Sequence, residues 1–292
     1  MMATRFSFSA RLPGTQALVA LLAAATAALA CGAGPARAQA PAAPVVMLQP
    51  HKAVYDLSLL TSRGARAIDR ASGRITFDFG GAACDGYSLQ FRQVMRLEGG
   101  AGERVADVRS TTFEDGQGRH FTFNTEMRVG SAAPELSSGR AERAGEELKV
   151  ALRRPNAREL ELAGAPIFPS EHLKRIVDAA RAETTLLEAR VYDGSQKGEK
   201  VYDTTAIIGA RRASPDALEA PLRRPEFETL ARWPVTISYF ESGQGERTPL
   251  YTISFELFEN GVSRALRLDY GDFVLAGTLT SIETSAPPAC RP

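Results

Sequence analysis

The chain has 292 residues, of which 44% are hydrophobic and 24% charged, and its 35 Lys and Arg against 34 Asp and Glu give a net charge of +1. Such a balance gives no reason to expect a polyphosphate partner, since nucleic-acid binding shows as a clustered basic excess. The length allows one large β domain or two small domains with a sizeable core.

The N-terminus reads as an export tag. Residues 1–16 carry Arg5 and Arg11 and no acidic residue, and residues 17–30 form an apolar core too short to span a bilayer comfortably. Ala36-Arg37-Ala38 then supplies a small-x-small cleavage pattern before Gln39. Cleavage after Ala38 removes three arginines, taking the net charge from +1 to about −2, and removes Cys31, leaving Cys84 and Cys290. The alternative is a lipoprotein acylated at Cys31 and anchored rather than free. Against it, Leu29 stands one position too late for the branched apolar residue that usually precedes such a cysteine by three. After the tag no apolar run approaches the length of a membrane span, so the expected product is a soluble periplasmic protein.

Residues 39–50 are rich in Pro and Ala and read as a flexible lead-in. From His51 a single β domain is expected to run to residue 292. Ile75, Phe77 and Phe79 alternate with Thr76 and Asp78; Tyr87, Leu89, Phe91, Met95 and Leu97 share one face opposite Ser88, Gln90, Arg92 and Arg96. Val235, Ile237 and Tyr239, and then Tyr251, Ile253, Phe255 and Leu257, repeat the same period of two. Successive strand side chains point to opposite faces, so this is the pattern of half-buried antiparallel strands. Asp85-Gly86, Asp115-Gly116, Asp193-Gly194 and Asn260-Gly261 separate the runs as turns, the last being the strongest hairpin signal.

Two segments break the alternation. Over residues 170–183, Leu173, Ile176, Val177 and Ala180 recur at helical spacing, with Ser170 placed to cap the first turn and Glu171 near the positive end of the dipole. One amphipathic helix among many strands is expected to plug a barrel end or cover a sheet edge. A membrane-surface helix is the other option, but the stripe has no aromatic residue. Residues 209–228, with three prolines and two Arg-Arg pairs, read as a solvated loop, or as a basic loop facing an anionic partner.

Catalytic and metal signatures are missing. His51, His120 and His172 are far apart and belong to no HExxH or HxH pattern, and two cysteines do not make a structural zinc site. There is no G-x-S-x-G elbow, no phosphate loop and no GxGxxG, so no cofactor is expected. Cys84 and Cys290 most simply pair in an oxidising compartment, the alternative being two free thiols; no CxxC suggests redox chemistry.

Six motifs then occur in order: Cys84-Asp85-Gly86-Tyr87, Phe168-Pro169-Ser170-Glu171-His172, Val191-Tyr192-Asp193-Gly194, the run from Pro234 to Phe240, Asn260-Gly261-Val262, and the run from Leu268 to Phe273. With both cysteines in place, they resemble the EipB family of alphaproteobacterial cell envelope integrity proteins over nearly all of residues 50–290. The resemblance implies a β-spiral, a broken barrel of antiparallel strands with a helix at one end, closed by a disulfide matching Cys84 and Cys290. It also implies a periplasmic role in envelope maintenance without known catalysis, and a periplasmic tetratricopeptide-repeat protein as a partner in the same pathway.

The function expected is therefore a non-enzymatic factor that works by binding. In one version the curled sheet encloses an apolar groove for a lipid or lipoprotein acyl chain, with Phe77, Phe91, Phe255 and Phe273 as lining if they are not simply core. In another, a loop such as 209–228 or a sheet edge presents itself to a protein. The alternative class is an envelope hydrolase acting on peptidoglycan or lipid, which needs one of the three histidines beside a carboxylate or serine in a cleft.

Overall fold

A computed structural model of the chain describes residues 45–63, 68–100, 102–212, 218–243 and 248–290. The expected export tag, its expected cleavage site and the first part of the expected lead-in lie outside the described residues. Fourteen strands form one antiparallel sheet. The first half of the chain supplies β1 (His51–Ser62), β2 (Ile68–Ala82), β3 (Gly86–Gly99), β4 (Gly102–Glu114), β5 (His120–Val129), β6 (Glu135–Ala144), β7 (Glu147–Arg154) and β8 (Arg158–Ala163). After helix α1 (Pro169–Arg181) come β9 (Leu186–Val191), β10 (Tyr202–Ile208), the four-residue helix α2 (Pro225–Glu228), β11 (Arg232–Glu241), β12 (Tyr251–Phe258), β13 (Ser263–Asp269) and β14 (Phe273–Thr284).

Each strand pairs with its neighbours in sequence, except that β8 and β9 do not pair with each other. β1 also pairs with β14, His51 opposite Thr284 and Leu57 opposite Gly277, so two meanders join at the middle and run out to β8 and β9 at the edges. The sheet stays open, as the resemblance implies for a spiral. The two edges are nevertheless consecutive in sequence, and Ile167, just past β8, bridges in parallel to Val191 of β9. Ile167 N–H donates to Arg190 O at 2.8 Å and Tyr192 N–H to Ile167 O at 2.9 Å. A large twisted sheet tends to curl, and here that bridge holds the two wings around a shared interior.

Register carries the sequence alternation to one face. Phe77 lies opposite Phe91, Phe79 opposite Leu89, Ile237 opposite Ile253 and Val235 opposite Phe255. Gln93, on the face of Phe91 and Met95, is a polar inward position; it is buried and donates through Nε2 to Tyr270 Oη at 3.0 Å. The β12–β13 hairpin forms at Asn260-Gly261 as the turn signal required, but only Gly261 adopts positive φ (86°). Gly261 N–H donates to Phe258 O and Phe258 N–H to Val262 O, a three-residue loop with glycine at its left-handed position.

Helix α1 turns its stripe inward. Ile176 and Val177 are fully buried and pack with Phe79, Tyr87, Trp233 and Val235. Each such side chain withdrawn from water contributes about 1.5–3 kcal/mol. The same cluster contains Val46 and Leu48, both 2% exposed, so the end of the expected flexible lead-in is packed against α1 rather than loose. Those two apolar residues alternate with exposed Val45 and Met47, which is a strand-like pattern the surrounding prolines and alanines obscured.

Residues 209–228 also depart from a plain solvated loop. Leu218, Leu222 and Phe227 are buried in a cluster with Tyr55, Phe258, Val262 and Leu279. The backbone is tied to β11 by reciprocal bonds between Arg212 and Arg232. One arginine of the first pair binds a carboxylate: Arg212 donates to Glu256 Oε1 at 2.6 Å. Glu256 also accepts from Arg232 (2.9 Å) and Arg264 (2.5 Å), and Arg264 reaches Glu219 (2.5 Å). Residues 213–217 lie outside the described residues.

Candidate functional site

Beneath α1 the concave face of the sheet encloses a cavity of ≈ 410 Å³. It falls within the range of about 300–1,000 Å³ typical of small-molecule pockets. Phe77, Phe91, Phe255, Leu89, Ile237 and Ile253 form much of its wall, contributed by β2, β3, β11 and β12. Three of the four phenylalanines singled out in the sequence thus line it. Phe273 does not; its ring packs 5.1 Å from Tyr270 at the β13–β14 turn. From Tyr87 to Phe91 along β3 the lining extends four residues, about 13 Å at the strand rise.

Glu114, Ser170 and His172 of the lining meet at the first turn of α1. That turn is capped from a distance. Its N-cap position is Phe168, whose side chain makes no cap, and Ser170 lies inside the helix rather than ahead of it. The capping group is the Glu114 carboxylate at the end of β4: Ser170 N–H donates to Oε2 at 2.7 Å and Glu171 N–H to Oε1 at 3.0 Å. A carboxylate on orphan N–H groups at the positive end of a dipole is doubly favoured. Proline at the first helical position leaves the cap position itself to a backbone that has gone extended, so an outside acceptor is needed. Burial raises the pKa of Glu114, and the bonds from Ser170 oppose that rise.

His172 follows on the buried face of the helix. Its Nε2 lies 3.3 Å from Thr204 Oγ1, and that hydroxyl donates to Ala189 O at 2.9 Å. With the threonine proton committed to the carbonyl, the histidine donates from Nε2 and its Nδ1 carries the lone pair. Burial, followed by the nearby Arg175 charge, lowers its pKa to about 4, so the ring is neutral at physiological pH. Asp193, beyond β9, also lines the cavity; Ser195 N–H donates to its Oδ1 at 2.9 Å, and burial raises its pKa.

The remaining histidines sit elsewhere. Buried His51 faces Gln49 O through Nδ1 at 2.7 Å and stacks on Phe77 at 5.3 Å; burial lowers its pKa. His120 does meet a carboxylate, Asp115 Oδ2 at 2.8 Å, but on the exposed β4–β5 turn, where Asp115 also accepts from Arg119 N–H. His172 meets a hydroxyl that is already donating to a carbonyl. None of these pairs places a base beside a free nucleophile in the cavity. Among the described residues, no group of three or more His, Cys, Asp and Glu is disposed to hold a metal ion.

Cys84, in the β2–β3 turn, is joined to Cys290 across a separation of 206 residues, with Cα atoms 5.8 Å apart. The C-terminal tail after β14 is thereby fastened to the turn that leads into Tyr87, a residue of the cavity wall.

The model of the family described as EipB-like matches residues 42–286. The chain belongs to the EipB-like family. It is 35% identical over 246 residues to the cell envelope integrity protein EipB of Brucella abortus, covering 84% of this chain and 87% of that one. It is also similar to the crystal structure of a beta-barrel-like protein of a domain of unknown function from Brucella abortus. That match has a TM-score of 0.76 and 33% identity, and covers 82% of this chain and all of the other. Membership of the EipB-like family ties the chain to cell envelope integrity, and with the Cys84–Cys290 disulfide it agrees with an exported protein. Among the described residues, no helix is long and apolar enough to cross a membrane.

The sequence did not point to Glu114, His172 and Asp193 as one group. Glu114 left a trace, a carboxylate just ahead of the Asp115-Gly116 turn at the position that register sets opposite Tyr87. Only the sheet's curl brings it to a helix 55 residues further on.

Proposed function

We propose that this EipB-like protein is a non-enzymatic periplasmic factor that maintains the envelope by holding an acyl chain, of a lipid or a lipoprotein, in the cavity beneath α1. The observation that carries the reading is that elongated apolar space, walled by Phe77, Phe91, Phe255 and their aliphatic neighbours. Burying methylene groups there contributes about 0.8 kcal/mol each, which favours a chain over a compact polar substrate. The chemistry of the polar groups argues for retention rather than turnover. Glu114 is engaged with helix N–H groups and His172 with Thr204, so neither stands ready to move a proton.

The test is direct titration with a fluorescent acyl probe, comparing the parent with Leu89→Trp, which fills the wall between β2 and β4. Saturable one-to-one binding by the parent, weakened about tenfold or more by the variant at an unchanged far-UV spectrum, supports the reading. Equal binding by both proteins locates the probe outside the cavity and refutes it.

A further inference from the structure

The acyl reading leaves open what the chain's polar end is, and the lining at the first turn of α1 bears on that. The carboxyls and the imidazole of the lining present acceptors, while its hydroxyls, among them Tyr87 and Tyr239, can donate or accept. Both Glu114 oxygens face N–H donors and hold their lone pairs toward that turn. The Thr204–Ala189 bond fixes His172 with its proton on Nε2, leaving Nδ1 unprotonated. Asp193 adds a second carboxyl. Among the described residues, no Lys or Arg lines the cavity. Lys174 stands over the Tyr87 ring at 5.6 Å, outside the lining, and its charge favours the ionised Glu114; Arg175, whose charge reaches His172, is outside the lining too.

Resting on the cavity being an acyl site, we propose that it selects chains whose buried polar end is an N–H or O–H donor, an amide-linked or hydroxylated acyl group, and rejects chains ending in a carboxylate. A donor satisfies acceptors that burial has stripped of water. A carboxylate brought to the same place meets the Glu114 and Asp193 carboxyls with no cation in the described lining, and like-charge juxtaposition at a buried site is unfavourable. The cavity is thereby suited to acyl groups that are already linked, rather than to free fatty acids.

The experiment is competition against the bound fluorescent probe at pH 7.5 by three ligands of one chain length: the fatty acid, its primary amide and the fatty alcohol. The amide and alcohol are expected to displace the probe, with the fatty acid weaker by about tenfold or more. Asp193→Asn and Glu114→Gln, each checked for parental melting behaviour, are expected to narrow that gap by improving fatty-acid binding while leaving the alcohol nearly unchanged. If either variant fails to fold, the parent's ranking of the three ligands alone decides. Fatty acid binding as tightly as the amide overturns the proposal while sparing the acyl site, and so does fatty-acid binding that Lys174→Ala abolishes, since Lys174 then serves as an anion anchor. Failure of all three ligands removes the acyl site itself.

Discussion

Reducing the Cys84–Cys290 disulfide should destabilise the protein without unmaking its fold. β14 is held to β1 along its length, from His51 opposite Thr284 to Ser62 opposite Phe273, before the tail reaches Cys290. Residues 285–290 are exposed, so opening the bond frees a short tail and leaves the ladder intact. The effect therefore belongs to the unfolded chain, where the bridge closes a loop across 206 residues. Chain entropy for a loop of that size gives about 5 kcal/mol at 25 °C, as an upper value. At about 2–4 °C per kcal/mol for a domain of this size, the melting point should fall by about 10–20 °C. Urea unfolding followed by circular dichroism, with and without reductant and for Cys84→Ser, measures it. The midpoint should drop, and the slope should rise because the uncrosslinked chain exposes more surface. Coincident curves for oxidised and reduced protein would refute the reasoning, and so would loss of native signal on reduction before any urea is added.

Three other outcomes follow from particular contacts. Glu256→Ala should cost about 3 kcal/mol, because it takes a carboxylate from Arg232, which is 3% exposed; Asp56→Ala, at an exposed pair with Arg74, should leave the same melts close to the parent's. Gly194→Ala should lower the melting point clearly, since Gly194 has φ +72° and a Cβ there would stand 2.4 Å from Phe123 Cγ; a parental melt would contradict that packing. For His172 the folded pKa of about 4 lies below the ordinary 6.5, so the unfolded chain takes up the extra proton. Its contribution is complete above about pH 6.5 and is lost as pH falls toward 4, about 3 kcal/mol in all. His172→Gln, which keeps a donor for Thr204, should flatten stability over that interval, and an unchanged acid limb would count against the buried neutral ring.

What was legible in the sequence was whatever local chemistry decides. Alternation at Ile75–Phe79 marks a strand because Ile75 and Phe79 are buried and Thr76 is exposed, the same period at Tyr251–Leu257 also falls on a strand, and the stripe from Leu173 to Ala180 marks the helix through its buried face. Cys84 and Cys290 could be paired because the third cysteine, Cys31, falls in the expected export tag. Features made by distant segments were not legible. Ser170 has the chemistry of a cap, yet Pro169 starts the helix one residue earlier and Glu114 of β4 supplies the acceptor. The prolines and arginines of 209–228 look solvated until Leu218, Leu222 and Phe227 are counted separately; their spacing of four and five residues is the signal that the polar composition hid. The cavity itself has no sequence signature. Phe91 and Phe255 line space while Phe273 packs against Tyr270, and alternation is the same for wall and core.

The most direct test of an acyl-holding cavity is native mass spectrometry of the protein released gently from its own envelope and never exposed to detergent. The account predicts a one-to-one adduct whose fragments contain an acyl group, present in the parent and depleted in Leu89→Trp. A parent of uniformly bare mass, or an adduct equally abundant in both proteins, would contradict it.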